Sequence, residues 1–308
     1  MYEPNPSDAQ GRFVNRVLGI LFLAAALFQL VVLPAWLLPA SPAWGWLLLV
    51  PVLLSNAWWA YLHEAVHGGL SPSRAGNRRL GRLHAVLYGA PFDLLRAGHL
   101  LHHALSRTVR ERSEVYRAGH DNRALFAVAY YLRILGGLYL IEVLGGLLFL
   151  LPHRAIATLA GRLERPDNVV PELVRRVSAP AILRAVRLDA GAVLAMYGLA
   201  FALYGRQAWL LLLALAGRAL LVSLVDNAFH YGTALNRVRA ARNLALPGWA
   251  SALILHFNLH GAHHLRPGLP WWRLPDYHRS AGSGYQAAWW PALFAQLRGP
   301  IPEHRLRP

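Results

Sequence analysis

Residues 44–67 read WGWLLLVPVLLSNAWWAYLHEAVH, an apolar run that passes without a break into two histidines, His63 and His67. The hydrocarbon core of a bilayer is roughly 30 Å thick and takes about 20 apolar helical residues to cross. Trp44 to Leu62 therefore reads as a membrane span, with HEAVH as its inner extension. Ionisable side chains near a bilayer are costly, which makes these histidines functional candidates by default.

Three further clusters follow: HLLHH with His99, His102 and His103, then His230 alone, then HGAHH with His260, His263 and His264. Helical residues three or four apart share one face, their Cβ atoms roughly 5–6 Å apart. His63/His67, His99/His103 and His260/His264 are spaced i,i+4, and His99/His102 and His260/His263 i,i+3. His230 has Asp226 as its i,i+4 neighbour. Nine imidazoles so spaced are the ligand set of a two-metal site. Neutral imidazole suits iron, zinc, copper and nickel, and a nitrogen-rich site with open positions suits oxygen chemistry at iron. The Glu-x-x-His pairs of carboxylate-rich di-iron bundles are absent. His84, His120, His153, His278 and His304 stand outside the clusters and read as structural.

Hydrophobic residues make up 56% of the 308 and charged residues only 15%, too apolar for an ordinary soluble domain. The chain reads as a multi-pass integral membrane protein. Its formal charge of +16 comes from 31 basic residues, all arginine, against 15 acidic ones. These arginines sit in loops beside apolar runs, where the positive-inside rule and anionic headgroups account for them, so no nucleic-acid partner is expected. With no cysteine, disulfides, thiolate metal sites and thiol nucleophiles are excluded.

Along the chain, a polar tail (1–16) precedes a first span, about Val17 to Leu38, with no cleavage site of the signal-peptide kind. The second span ends in HEAVH, and the basic loop 71–123 contains HLLHH. Two more spans, about Leu188–Tyr204 and Ala208–Val225, are joined by the turn Gly205-Arg-Gln207. Between the pairs lies Ala124–Leu151, apolar but interrupted by Gly136-Gly137 and Gly145-Gly146 and carrying Arg133 and Glu142. Were it to cross once, His230 and HGAHH would face the opposite side from the first two clusters, and a shared site could not form. The expectation is that it lies in the interface or re-enters, with Arg133 and Glu142 near the headgroups. The fold expected is all-α and integral to the membrane. Four transmembrane helices form two hairpins, with interfacial helices and a helical cap that carries the histidines at the cytoplasmic face of a bacterial inner membrane. Residues 1–308 form one domain with a C-terminal tail (276–308). Prolines in LRPGLPWWRLP (265–275) end the HGAHH helix, and Trp271 and Trp272 suit the bilayer interface.

HEAVH, HLLHH and HGAHH resemble the three histidine boxes of the membrane fatty acid desaturase family, which includes acyl-lipid hydroxylases and carotenoid ketolases and hydroxylases. The likeness covers roughly residues 40–280, including DNAFHYGT (226–233) and the PWWRLP run. The three-residue gap in HEAVH is similar to acyl-lipid desaturases and carotenoid ketolases, whereas animal acyl-CoA desaturases usually have four. His260 stands where front-end desaturases usually place Gln. The resemblance implies two iron ions held by the nine histidines, dioxygen as co-substrate, and an acyl or lipid chain into which a double bond is inserted. Hydroxylation or ketone formation is the alternative. It also implies a separate electron donor, a ferredoxin or a cytochrome with its reductase, since no haem domain is fused. An acidic ferredoxin would complement the arginines. Asp226 falls where some acyl-CoA desaturases hold a metal-bound water through Asn, so it is a candidate ligand or hydrogen-bond acceptor. Each ligating imidazole needs an acceptor for its other N–H, and Glu64, Asp93, Glu111, Glu114, Asp121 and Asn258 are further candidates, with a surface pair to Arg96 as the plain reading of Asp93.

Two rival classes remain. HEAVH satisfies H-E-x-x-H, the zinc protease signature in which Glu64 would be the general base, but three ligands would suffice and the other clusters would be idle. A metal-binding or transport protein would need ionisable groups along the spans, whereas these histidines gather at one end.

Overall fold

A computed structural model describes residues 6–306 apart from residue 238. The chain is mostly helical. Among the described residues three stretches are long and apolar enough to cross a membrane, Asp8–Ala40, Arg123–Leu148 and Pro180–Ala228, with a fourth if the bent pair Pro42–Leu53 and Ser55–His67 is one span.

The first helix, Pro6–Leu27, runs on through a wider-wound turn, Phe28–Leu37, to Ala40. Residues 6–16, read from sequence as a polar tail, are part of it; residues 1–5 of that tail and 307–308 of the C-terminal one lie outside the described residues. A distant segment holds this polar start in place. The Trp272 ring lies flat on Gly11, where a Cβ would come within 2.2 Å. Asp8 accepts hydrogen bonds from Trp272 Nε1 (3.1 Å) and Arg273 Nε (2.8 Å), and Asn15 accepts one from Trp271 Nε1 at 2.9 Å. The two tryptophans, expected at the bilayer interface, clasp the first helix through the buried Asn15 and the half-buried Asp8.

The second leg bends by 41° between Leu53 and Ser55. Pro51 supplies the cause, since proline removes one rung of the helix ladder; Ser55 Oγ donates to the Pro51 carbonyl at 3.0 Å. Gly68, at φ 90, ends the HEAVH helix in the left-handed conformation that glycine adopts without strain.

Pro180–Tyr204 and Ala208–Ala228 are separated by residues 205–207, where Gly205 (φ 49, ψ −120) breaks the helix. Tyr204 OH donates to the Gln29 carbonyl at 2.8 Å and Gln207 Nε2 to the Leu38 carbonyl at 3.3 Å. The turn at 205–207 therefore meets the turn after Leu38, and Leu30, Leu33, Leu48 and Leu211 are buried around them. All the clustered histidines lie at the other end. Inside the bundle Arg218, 2% exposed, packs against the rings of Trp58 and Tyr88 and donates to Gln29 Oε1 (3.2 Å) and the Tyr88 carbonyl (3.3 Å).

Arg123–Leu148 is interrupted at Arg133–Gly137, where Gly136 takes φ 132 against Ala219. Tyr139 anchors its middle, its N–H donating to Ser223 Oγ (3.2 Å) and its hydroxyl to the Tyr88 carbonyl (2.9 Å). Tyr131, before the break, donates to the Leu297 carbonyl, and the Phe149 carbonyl beyond the end accepts from Arg187. Arg133 and Glu142, expected near headgroups, line a partly open cavity. Asp226 lines the same cavity.

Two-residue parallel pairings, Val115–Tyr116 with Ile301–Pro302 and Leu244–Ala245 with Ala287–Ala288, tie the loops around the histidine end to the C-terminal segment.

Candidate metal centre

Four segments bring the histidines together. His63 and His67 stand on the last turns of Ser55–His67. His99, His102 and His103 stand on the C-terminal half of Phe92–Leu105, which starts after the turn at Gly89. His230 lies two residues past Ala208–Ala228, its N–H on the Asn227 carbonyl at 3.1 Å. His260, His263 and His264 sit on the short helix His260–Leu265. The loop before that helix holds Leu255 and His256 at positive φ. Asn258 secures it, donating to the Leu244 carbonyl at 2.8 Å and accepting from Ser251 Oγ at 2.6 Å.

All nine fall into two adjoining groups whose nitrogens lie within 4.8 Å of one another: His63, His67, His99, His103 and His263 in one, His102, His230, His260 and His264 in the other. Nε2 faces Nε2 at 3.1 Å between His99 and His67, 2.9 Å between His103 and His99, and 2.9 Å between His263 and His103. In the second group the distances are 3.2 Å for His102 and His264 and 3.1 Å for His264 and His260. An imidazole nitrogen sits roughly 2.0–2.1 Å from a bound ion such as zinc, so two ligands at right angles stand about 3 Å apart. His63 Nε2 and His230 Nε2 are buried with no hydrogen-bond partner. Nitrogens converging at these distances, two of them orphaned, fit a pair of metal ions as the partners they lack.

Burial, reinforced by neighbouring imidazoles, holds His99, His230, His260, His263 and His264 well below the ordinary histidine range and His103 down to about 3. These rings are neutral, the form that binds metal. His102 differs. Burial pulls it down, but the Glu111 carboxylate, 2.6 Å from its Nδ1, carries it above the usual value. Glu111 is thus the acceptor that orients one candidate ligand. His230 Nδ1 has the Ala240 carbonyl at 3.3 Å.

The other candidates lie elsewhere. Glu64 accepts the Trp271 N–H at 3.0 Å, and Asp93 pairs with Arg78 at 2.6 Å rather than with Arg96. Glu114 is buried against Arg107 at 2.5 Å, and Asp121 pairs with Arg117. Asn258 positions backbone, as described. Asp226 belongs to neither histidine group but lines the adjoining cavity.

That cavity, about 430 Å³, was not legible in the sequence. His99, His102 and Trp59 form one end, with Glu111, Arg133, Glu142 and Asp226. The rest is apolar, lined by Leu94, Leu138, Ile141, Leu148, Phe149, Ile156, Leu159 and Leu173 among others. The signal that could have found it is the i,i+3/i,i+4 series Leu138, Ile141, Glu142 and Gly145, a face with one acid on it.

The helices and the histidine site together define an integral membrane protein with a metal-binding imidazole centre beside a lipid-like cavity. The fatty acid desaturase family model matches residues 39–292, and the chain belongs to that family. The family is one of oxidoreductases acting on fatty acids in membranes. No curated protein and no solved structure was found to match the chain.

Proposed function

We propose that this protein is an oxygen-dependent non-haem di-iron desaturase that inserts a double bond into a long acyl chain, most simply one carried on a lipid. The observation that carries the reading is that His99 and His102 belong to the two imidazole groups and also line the apolar cavity. A chain in the cavity is thereby brought to the site where oxygen is activated. The nine histidines would hold two iron ions, and iron bound there supplies the reduction of dioxygen that attack on an unactivated methylene requires. Two hydrogens leave the chain and dioxygen becomes two waters, with two electrons from a separate donor, a ferredoxin or a cytochrome with its reductase, and two protons. The protein's share is to position the chain, keep the other imidazoles neutral and orient His102 through Glu111.

Four membrane crossings in two hairpins follow from the same reading, with the histidines at the cytoplasmic face of a bacterial inner membrane. Arg123–Leu148 would then not cross, which its anchors to Leu297 and Arg187 support. A protease would need only three ligands, whereas all nine clustered histidines fall into the two groups, which supports the oxidase reading over it. The test is iron content of the purified protein together with chromatography of lipids from cells with and without it. About two irons per chain and a new unsaturated chain support the proposal. An oxygenated product transfers it to hydroxylation or ketone formation, and zinc with unchanged lipids overturns it.

A further inference from the structure

We infer that the substrate is oxidised close to an oxygen-bearing end of its chain, an ester carbonyl or a hydroxyl held by Arg133 and Glu142. This rests on the function proposed above and adds the direction in which the chain lies.

The cavity has a polarity gradient. Helices Phe92–Leu105 and Leu138–Leu148 flank it side by side. Leu94 of the first is buried beside Phe149 at the apolar end, and Pro91 approaches Gly146. His102 stands at the other end, where Arg133 and Asp226 act on it electrostatically. From Leu138 to Leu148 the apolar wall spans roughly 16 Å at about 1.5 Å per residue. The histidines therefore do not sit midway along the cavity; they sit at its polar end.

Four ionisable groups share that end, and three of them are poorly satisfied. Arg133 Nε, Glu142 Oε2 and Glu111 Oε2 are each buried without a hydrogen-bond partner. A buried donor or acceptor left unpaired is expensive. A chain entering with its methyl end toward the histidines would leave all three unpaired against hydrocarbon. The opposite orientation lets Arg133 donate to a carbonyl, or Glu142 accept from a hydroxyl, while the tail fills the space between Leu94, Leu148, Ile156 and Leu173. The carbons presented to His99 and His102 are then those next to the oxygen.

The test needs no turnover. Trp59 lines the cavity, its ring 6.5 Å from that of His99, so its fluorescence is isolated as the difference between wild type and Trp59→Phe. Methyl hexadecanoate brominated on the carbon beside the carbonyl should quench this component, and the ester brominated on its terminal carbon should not. The reverse pattern overturns the inference. In parallel, Arg133→Met should weaken binding of methyl hexadecanoate by about tenfold and Glu142→Met that of hexadecanol similarly, as expected for losing one buried hydrogen bond. Hexadecane should bind all three proteins alike; ester and alcohol affinities that stay unchanged overturn the inference. Products separate it from the parent reading: oxidation far from the oxygen overturns the orientation and leaves the desaturase proposal standing, whereas an iron-loaded protein that oxidises nothing overturns that proposal whatever the quenching shows.

Discussion

Glu111 Oε1 stands 2.6 Å from Nδ1 of His102, whose Nε2 faces His264 at 3.2 Å, so one carboxylate orients a ring that belongs to the second imidazole group. Replacing such an outer partner typically lowers metal affinity about 10–100-fold. Glu111→Gln is expected to lose iron by that order during dialysis against a chelator, while His102→Gln loses more. Iron retention equal to wild type in Glu111→Gln would show that this contact does not tune the centre.

Single replacement of His99, His103, His260 or His264 by Ala should abolish turnover and reduce bound iron while the protein still inserts into membranes. Each of these rings has an Nε2–Nε2 approach to another in its group. Membrane fractionation, metal analysis and product formation check this together, and full activity in any of the four variants would contradict a shared site.

His84 lies outside the centre, 2% exposed, with its ring edge-on to Tyr61 at 4.9 Å. Burial lowers it from 6.5 to about 4. Since the unfolded chain takes up this proton first, the stability at neutral pH is intact above 6.5 and is lost as pH falls from there toward 4. The full loss is about 3 kcal/mol at 1.36 kcal/mol per unit. His84→Phe should move the acid unfolding midpoint of the detergent-solubilised protein to lower pH, and an unchanged midpoint would refute the assignment.

Arg107 and Glu114 form an ion pair at 2.5 Å with side chains only 1% and 3% exposed. Arg107 also donates to the Thr233 carbonyl, joining the end of the HLLHH helix to the loop after His230. Glu114→Ala leaves a buried cation and should cost about 3–5 kcal/mol. The pair Arg107→Met with Glu114→Ala should recover part of that loss in thermal unfolding.

Gly11 touches the Trp272 ring so closely that a methyl group there must displace it. Gly11→Val should destabilise by about 1–3 kcal/mol through overpacking. Limited proteolysis near the N-terminus should accelerate in the variant.

Much of the centre is legible in the spacing of its histidines. Residues three and four apart on a helix must share a face, so HLLHH and HGAHH each present converging rings wherever their helices lie. The acceptors are less legible, because a carboxylate's partner depends on which loop passes it. Asp93 found Arg78 and not its neighbour Arg96, and Glu64 found a backbone N–H more than two hundred residues away. A shared site for all nine histidines also constrains how Arg123–Leu148 can run. That constraint gives no means of knowing that Arg133 and Glu142 line one cavity with His99 and His102.

Composition and spacing alone decided that this chain is a helical membrane protein with a nine-histidine centre, because hydropathy and helical periodicity are local properties of the chain. Only the tertiary structure decided that the nine divide into groups of five and four, that Glu111 serves His102, and that a largely apolar cavity with one charged end reaches His99 and His102. Those features depend on how distant helices pack and on which buried polar atoms remain without partners, and neither is written in any single segment.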